Sequence, residues 1–226
     1  MTVIGVASVK GSPGVTAFAL ALASTWPGNA ILAELDASGG DLAGYYRLQP
    51  DPGVASLATE IRRERDAEVL ARHTQTLPRG LKVIAAPPRP AQAHAAISAL
   101  APLLPELFPK LLRETTLIAD LGRLTGPSTE LAGSADRLLV LARPHLTDLA
   151  HLDSLPPHAE LVLVGRGPYP PREVTDALGL KVRAHLRHDP AAQAFLEGRR
   201  RSSRLVRAAR QLSTTLATFA QLEPTP

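Results

Sequence analysis

Short aliphatic runs alternate with longer mixed segments along the whole chain. Seven runs stand out: TVIGVASV (2–9), AILAELD (30–36), LKVIAAP (81–87), TLIADLG (116–122), RLLVLAR (137–143), ELVLVGR (160–166) and KVRAHLR (181–187). They are apolar at nearly every position rather than at every second one, the pattern of parallel strands covered on both faces. Helix-like segments separate most of them, at 15–25, 54–72, 91–104, 128–133, 146–154, 172–179 and 203–221. Continuous strand–helix alternation predicts a single α/β domain over 1–222, with 223–226 as a short tail. The expected architecture is three-layered, a doubly wound, mostly parallel sheet between helices.

Sheets of this kind bind ligands beyond the carboxyl ends of their strands. Here the first run ends at Val9–Lys10, the second at Asp36 and the TLIAD run at Asp120. These ends bring a glycine loop and two carboxylates to one rim. Against the phosphate-loop pattern G-x-x-x-x-G-K-[ST], the stretch VKGSPGVT keeps Gly14 and Thr16. Val9 stands where the first glycine belongs and Val15 where the lysine belongs. The N–H groups of Gly11, Ser12, Gly14, Val15 and Thr16 are suited to an anion nest capping the next helix. Pro13 offers no N–H. The Thr16 hydroxyl is placed for Mg²⁺. The same residues also make an ordinary Gly/Pro turn, so the loop alone does not decide.

The flanking motifs add a resemblance. KGSPGVT resembles the variant phosphate loop K-G-G-x-G-K-[ST] of the MinD/ParA family, and Lys10 matches that family's signature lysine. The stretch is most similar to the CpaE/TadZ branch, where the second lysine is often a small residue. ILAELDASGGDLA resembles the family's D-x-D strand, with Asp36 at the second aspartate and Glu34 at the first. TTLIADLGR resembles the Walker B strand and switch II, with Asp120 as the outer magnesium carboxylate and Gly122 as the switch glycine. ADRLLVLARPHLTDLAHL and LVLVGRGPYPPREVTDALGLKV are similar to later family stretches. Gly165 stands where many relatives carry an adenine-contacting asparagine.

The resemblance implies a P-loop NTPase fold and ATP with Mg²⁺ as ligands. It implies catalytic roles for Lys10 and Asp36 and nucleotide contacts from Lys10, Gly11, Ser12, Gly14, Val15 and Thr16. Metal contacts fall to Thr16, Asp36 and Asp120. A homodimer is implied, in which Lys10 reaches the partner copy's phosphates, as is a protein partner in a larger assembly. The implied role is a spatial organiser or assembly-localisation factor. Loss of a lysine that makes charge-assisted bonds to phosphate costs about 1.5–3 kcal/mol per bond. Loss of such a preorganised donor slows catalysis by about 10²–10³. Val15 therefore predicts weak nucleotide binding and at most a weak ATPase.

Composition narrows the alternatives. The absence of cysteine among 226 residues excludes disulfides, thiol catalysis and cysteine-ligated metal. The seven histidines show no ligand spacing. No run reaches the ~18 apolar residues of a spanning helix and no signal peptide opens the chain, so a cytoplasmic protein, peripheral to membrane or nucleoid, is expected. The net charge of +4 owes much to GRRRSSRLVRAAR (198–210), with Arg199, Arg200, Arg201, Arg204, Arg207 and Arg210 and no acid. Read as the start of the last helix, it puts Arg200, Arg204 and Arg207 on one face. Leu205, Leu212, Leu216 and Phe219 fall on another. A basic face of this kind fits nonspecific DNA or an anionic membrane surface. Two further readings stay open: an active ATPase of chromosome or plasmid partitioning, and a scaffold that uses no nucleotide.

Overall fold

All seven aliphatic runs form strands of one eight-stranded sheet. The structure is a computed structural model; it describes residues 2–11, 13–64, 68–105 and 115–222, with side chains to residue 218. The strands are β1 (Thr2–Ser8), β2 (Ala30–Glu34), β3 (Gln75–Thr76), β4 (Lys82–Ile84), β5 (Thr116–Arg123), β6 (Arg137–Ala142), β7 (Ala159–Val164) and β8 (Lys181–Leu186). Their order is β3-β4-β2-β5-β1-β6-β7-β8, and every pairing is parallel except β3 with β4. The carboxyl ends of the seven parallel strands therefore share one rim. β1, buried at every position, is the central strand between β5 and β6.

Successive strand residues face opposite sides, and each side builds its own core. Val3, Ala7, Ala119 and Val140 pack with helices α3 (Val54–Glu60) and α5 (Pro90–Leu100). Ile4, Val6, Ile118 and Leu139 pack with α1 (Val15–Ser24) and the C-terminal helix α10 (Arg204–Leu222). α1 is apolar almost throughout because eight of its ten residues are buried, between the sheet and α10. From α10, Val206, Ala209, Leu212 and Leu216 supply the inner stripe, each at or below 6% exposure. Leu205 packs at its edge. The Phe219 side chain and the 223–226 tail lie outside the described residues.

The remaining helices are α2 (Leu42–Tyr46), α4 (Val69–Arg72), α6 (Pro127–Gly133), α7 (Leu146–Leu149), α8 (Pro171–Leu178) and α9 (Ala192–Leu196). The single helix expected over 54–72 is interrupted: α3 ends at Glu60 and α4 starts at Val69. The intervening Arg62, Arg63 and Glu64 are exposed and have no apolar stripe to bury. The second strand ends at Glu34, two residues before Asp36.

A further correction concerns the basic stretch. α10 begins at Arg204, so Arg200 lies in the preceding turn and shares no helix face with Arg204 and Arg207. Buried Ser203 sets this boundary, its hydroxyl accepting the Val206 N–H at 3.2 Å. The Asp189 carboxylate accepts the Leu205 N–H at 2.8 Å. Two orphan donors of the first turn are thereby satisfied, as helix caps require.

Candidate functional site

The β1–α1 connection builds the centre of the rim. Gly14 is the residue that starts α1, at φ +94°, a backbone region that costs a side-chain-bearing residue about 1–2 kcal/mol. Among the described residues no side-chain hydrogen bond caps the start of α1, and the first N–H groups of a helix have no partner within it. Val15 is 7% exposed and packs into the α1 core. The position where the loop pattern has a lysine therefore presents only an apolar edge.

Three carboxylates converge behind the loop. Asp120 pairs across the sheet with Val6 on one side and Glu34 on the other. It is 1% exposed and accepts the Gly122 N–H at 3.1 Å. A register shift between β1 and β5 falls at the same place, with Val6 opposite Asp120 and Ala7 opposite Gly122. Burial pushes the Asp120 carboxyl up to about 7, and the charges of Glu34 and Asp36 add to the rise. The nearby Thr16 hydroxyl and the Gly122 N–H act in the opposite direction. Asp36 is fixed by the Ser38 N–H, 2.8 Å from Oδ1. Its Oδ2 packs so tightly on Gly122 (φ +57°) that a Cβ there would collide with the carboxylate.

Glu34 works differently. Its Oε1 accepts the N–H groups of Asp41 and Leu42 at 2.8 and 2.9 Å, and its Oε2 accepts that of Ala86 at 3.1 Å. It pins the start of α2 to the end of β4. Burial raises its carboxyl to about 7 despite these three donors.

A cavity of ≈ 630 Å³ opens over this group, lined by Gly11, Gly14, Val15, Thr16 and Asp36. Its far wall carries Tyr45 and Gln193, joined by a 3.2 Å hydrogen bond from Gln193 Nε2 to the Tyr45 hydroxyl. The structure thus brings five of the expected site residues to one cavity, with Asp120 beneath Thr16. Lys10 stands outside it, exposed, with Nζ 3.2 Å from His151 Nε2. Ser12 lies outside the described residues. A second recess of ≈ 470 Å³ shares Gly14 and Ala17 with the first and runs past Gly165.

Residues that the loop pattern does not mark include Tyr45, Gln193 and Arg123 in the cavity wall and Arg143 in the adjoining recess. Sequence reasoning missed all four; Arg123 and Arg143 alone carry a signal that could have found them, a cation directly at the end of an apolar run. A larger recess of ≈ 890 Å³ between α3 and α5 is mostly lined by alanine and proline and carries none of these groups. Ser56, His73 and Glu60 form a hydrogen-bonded chain with two 2.8 Å links, but the Ser56 hydroxyl is committed to the Gly53 backbone and clamps α3 to the residue after α4.

The donor set suits a hard cation. A hydroxyl and carboxylates in a row are oxygen ligands, and Mg²⁺ is normally held by one or two protein oxygens plus phosphates and water. Among the described residues no three His, Asp or Glu side chains form a closed metal cage. A site completed by a phosphate-bearing ligand is the arrangement these residues fit.

Comparison with known proteins follows the same line. No family model and no curated protein matches the chain. Solved structures do. A ParA family ATPase from Chlorobium tepidum TLS is 18% identical with a TM-score of 0.74, over 95% of this chain and 98% of that one. The cell division ATPase MinD of Pyrococcus furiosus is 17% identical with a TM-score of 0.74, over 96% and 99%. The septum site-determining protein MinD of Pyrococcus horikoshii OT3, complexed with Mg-ADP, is 16% identical with a TM-score of 0.73, over 100% and 99%. At such identities the likeness establishes the fold: this is the MinD/ParA type of P-loop NTPase architecture. No described helix is long and apolar enough to cross a membrane.

Proposed function

We propose that the chain is a MinD/ParA-like protein of the CpaE/TadZ type, a spatial organiser or assembly-localisation factor whose altered loop binds Mg-ATP weakly and hydrolyses it slowly or not at all. One observation carries this reading: Gly11, Gly14, Thr16 and Asp36 line a single cavity with Asp120 directly behind Thr16. In the proposed complex the uncapped amides of α1 take phosphate oxygens. Thr16 and Asp36 hold Mg²⁺, with Asp120 orienting Thr16 from beneath. Bound Mg²⁺ neutralises phosphate charge.

Lys10 has a separate part. It is exposed and turned away from its own cavity, toward the residues after α7. A second copy facing this rim is the acceptor we assign to it, so that nucleotide serves more to join two copies than as fuel. The protein would then position a partner within a larger assembly. The test is sedimentation of the wild type and Lys10→Ala with and without Mg-ATP. Nucleotide-dependent dimerisation lost in Lys10→Ala is the expected result. Identical association in all four conditions would remove the role of nucleotide as glue.

The basic surface favours a second reading, partitioning with nonspecific DNA binding. Arg199, Arg200, Arg201, Arg204, Arg207 and Arg210 are all exposed. Arg199 pairs with Glu197, while the other five have no acidic partner among the described residues.

A further inference from the structure

We propose that Arg143 supplies the positive charge toward bound polyphosphate that Val15 cannot, an inference that rests on the nucleotide reading above. β6 lies beside β1, with Ala7 opposite Val140, so the residues three steps beyond each, Lys10 and Arg143, leave the sheet side by side. Arg143 turns onto the loop. Its Nη1 stands 3.4 Å from the point a Cβ would occupy on Gly11. It also lines the recess that continues from Gly14.

The backbone of Arg143 is held while its guanidinium is uncommitted. Asp148, 7% exposed, accepts the Arg143 N–H at 3.2 Å, and the Arg143 carbonyl accepts the His145 N–H at 2.8 Å. The side chain is exposed and has no ion-pair partner among the described residues. One other cation, Arg123, lines the cavity wall beside Asp36 and Gly122, but Arg143 is the one that meets Gly11 of the loop. Val15 is packed into the core, and Lys10 is turned to His151 outside the cavity.

The chemistry of the recess agrees. Arg166 and Arg187 line it with Arg143, and its one carboxylate, Asp189, is occupied by the N–H groups of Ala191 and Leu205. The recess therefore presents net positive charge to whatever leaves the loop. Arginine is always charged and its planar fork matches two phosphate oxygens at once. Its longer reach suits a cation approaching from the neighbouring strand rather than from α1. The ligand class is a nucleoside polyphosphate, with Arg143 reading the phosphates and not the base.

Calorimetric titration tests this with Mg-ATP and AMP as probes. The proteins are the wild type, Arg143→Ala, Arg143→Lys, Arg143→Ala combined with Val15→Lys, and Arg172→Ala, a charge control that lines neither recess. Arg143→Ala is expected to weaken Mg-ATP binding about ten- to a hundredfold while AMP binding changes less than about threefold. Arg143→Lys and the added Val15→Lys each recover part of the loss, and Arg172→Ala matches the wild type. Arg143→Ala binding Mg-ATP within twofold of the wild type overturns the inference and leaves the nucleotide reading standing. Equal losses for Mg-ATP and AMP overturn it too. A wild type that binds no Mg-ATP at millimolar concentration removes the nucleotide reading itself, and this inference with it.

Discussion

Asp120→Asn should make the fold less sensitive to alkali. Asp120 is 1% exposed and its carboxyl is raised from 3.8 to about 7, with burial the largest cause. Between those values the native protein keeps a proton that the unfolded chain has released. The native state then binds more protons than the unfolded state, so stability falls as pH rises through this window. At 1.36 kcal/mol per pH unit, the Asp120 contribution falls by about 3 kcal/mol between pH 5 and pH 8. Glu34, raised to about 7, acts in the same direction and does so in both proteins.

Asparagine removes the Asp120 proton and keeps the partners: its Oδ1 still accepts the Gly122 N–H, and its amide faces the Thr16 hydroxyl. Urea unfolding of both proteins at pH 5, 6, 7 and 8 gives a difference curve in which groups common to both largely cancel. The variant should gain about 3 kcal/mol on the wild type from pH 5 to pH 8, starting near parity at the acid end. A difference constant within about 0.5 kcal/mol, or a variant that loses ground as pH rises, would refute the reasoning. The physical point reaches the function. A fold that weakens as its buried carboxylates ionise gives up stability at the place where the proposed function puts a cation.

Two further outcomes follow from the geometry. Gly122→Ala places a Cβ against the Asp36 carboxylate at φ +57°, and is expected to cost about 2 kcal/mol or more of stability, read from the urea midpoint; a loss below about 0.5 kcal/mol would mean Asp36 is not held there. Replacing Arg200, Arg204 and Arg207 with glutamine should weaken retention of duplex DNA and flatten its dependence on log salt, as lost phosphate contacts require; retention that is independent of salt in the wild type would remove the DNA reading.

The sheet was legible because its strands are buried on both faces and so read as unbroken aliphatic runs. Only β3 escaped, two residues that pair at the edge and leave no periodicity. α2 and α9 were missed for a related reason: at five residues each they are too short to show a stripe. The helix expected over 54–72 joined two apolar stretches across a polar one, of which Arg62, Arg63 and Glu64 are exposed. In the basic segment, charge spacing suggested a helix from Arg200, but Ser203 and Asp189 cap it later. At the site, the loop and both carboxylates could be placed because strand ends are readable. The inward packing of Val15, the outward turn of Lys10 and the approach of Arg143 could not be, since each depends on how distant segments meet.

The central claim is that this rim holds a Mg²⁺-bound triphosphate without the usual lysine. Titrating ATP calorimetrically into the wild type and Thr16→Val, with Mg²⁺ and with EDTA, tests it most directly. The account predicts saturable binding to the wild type that requires Mg²⁺ and weakens about tenfold or more in Thr16→Val. No heat at millimolar ATP, or equal binding in EDTA and in Thr16→Val, would contradict it.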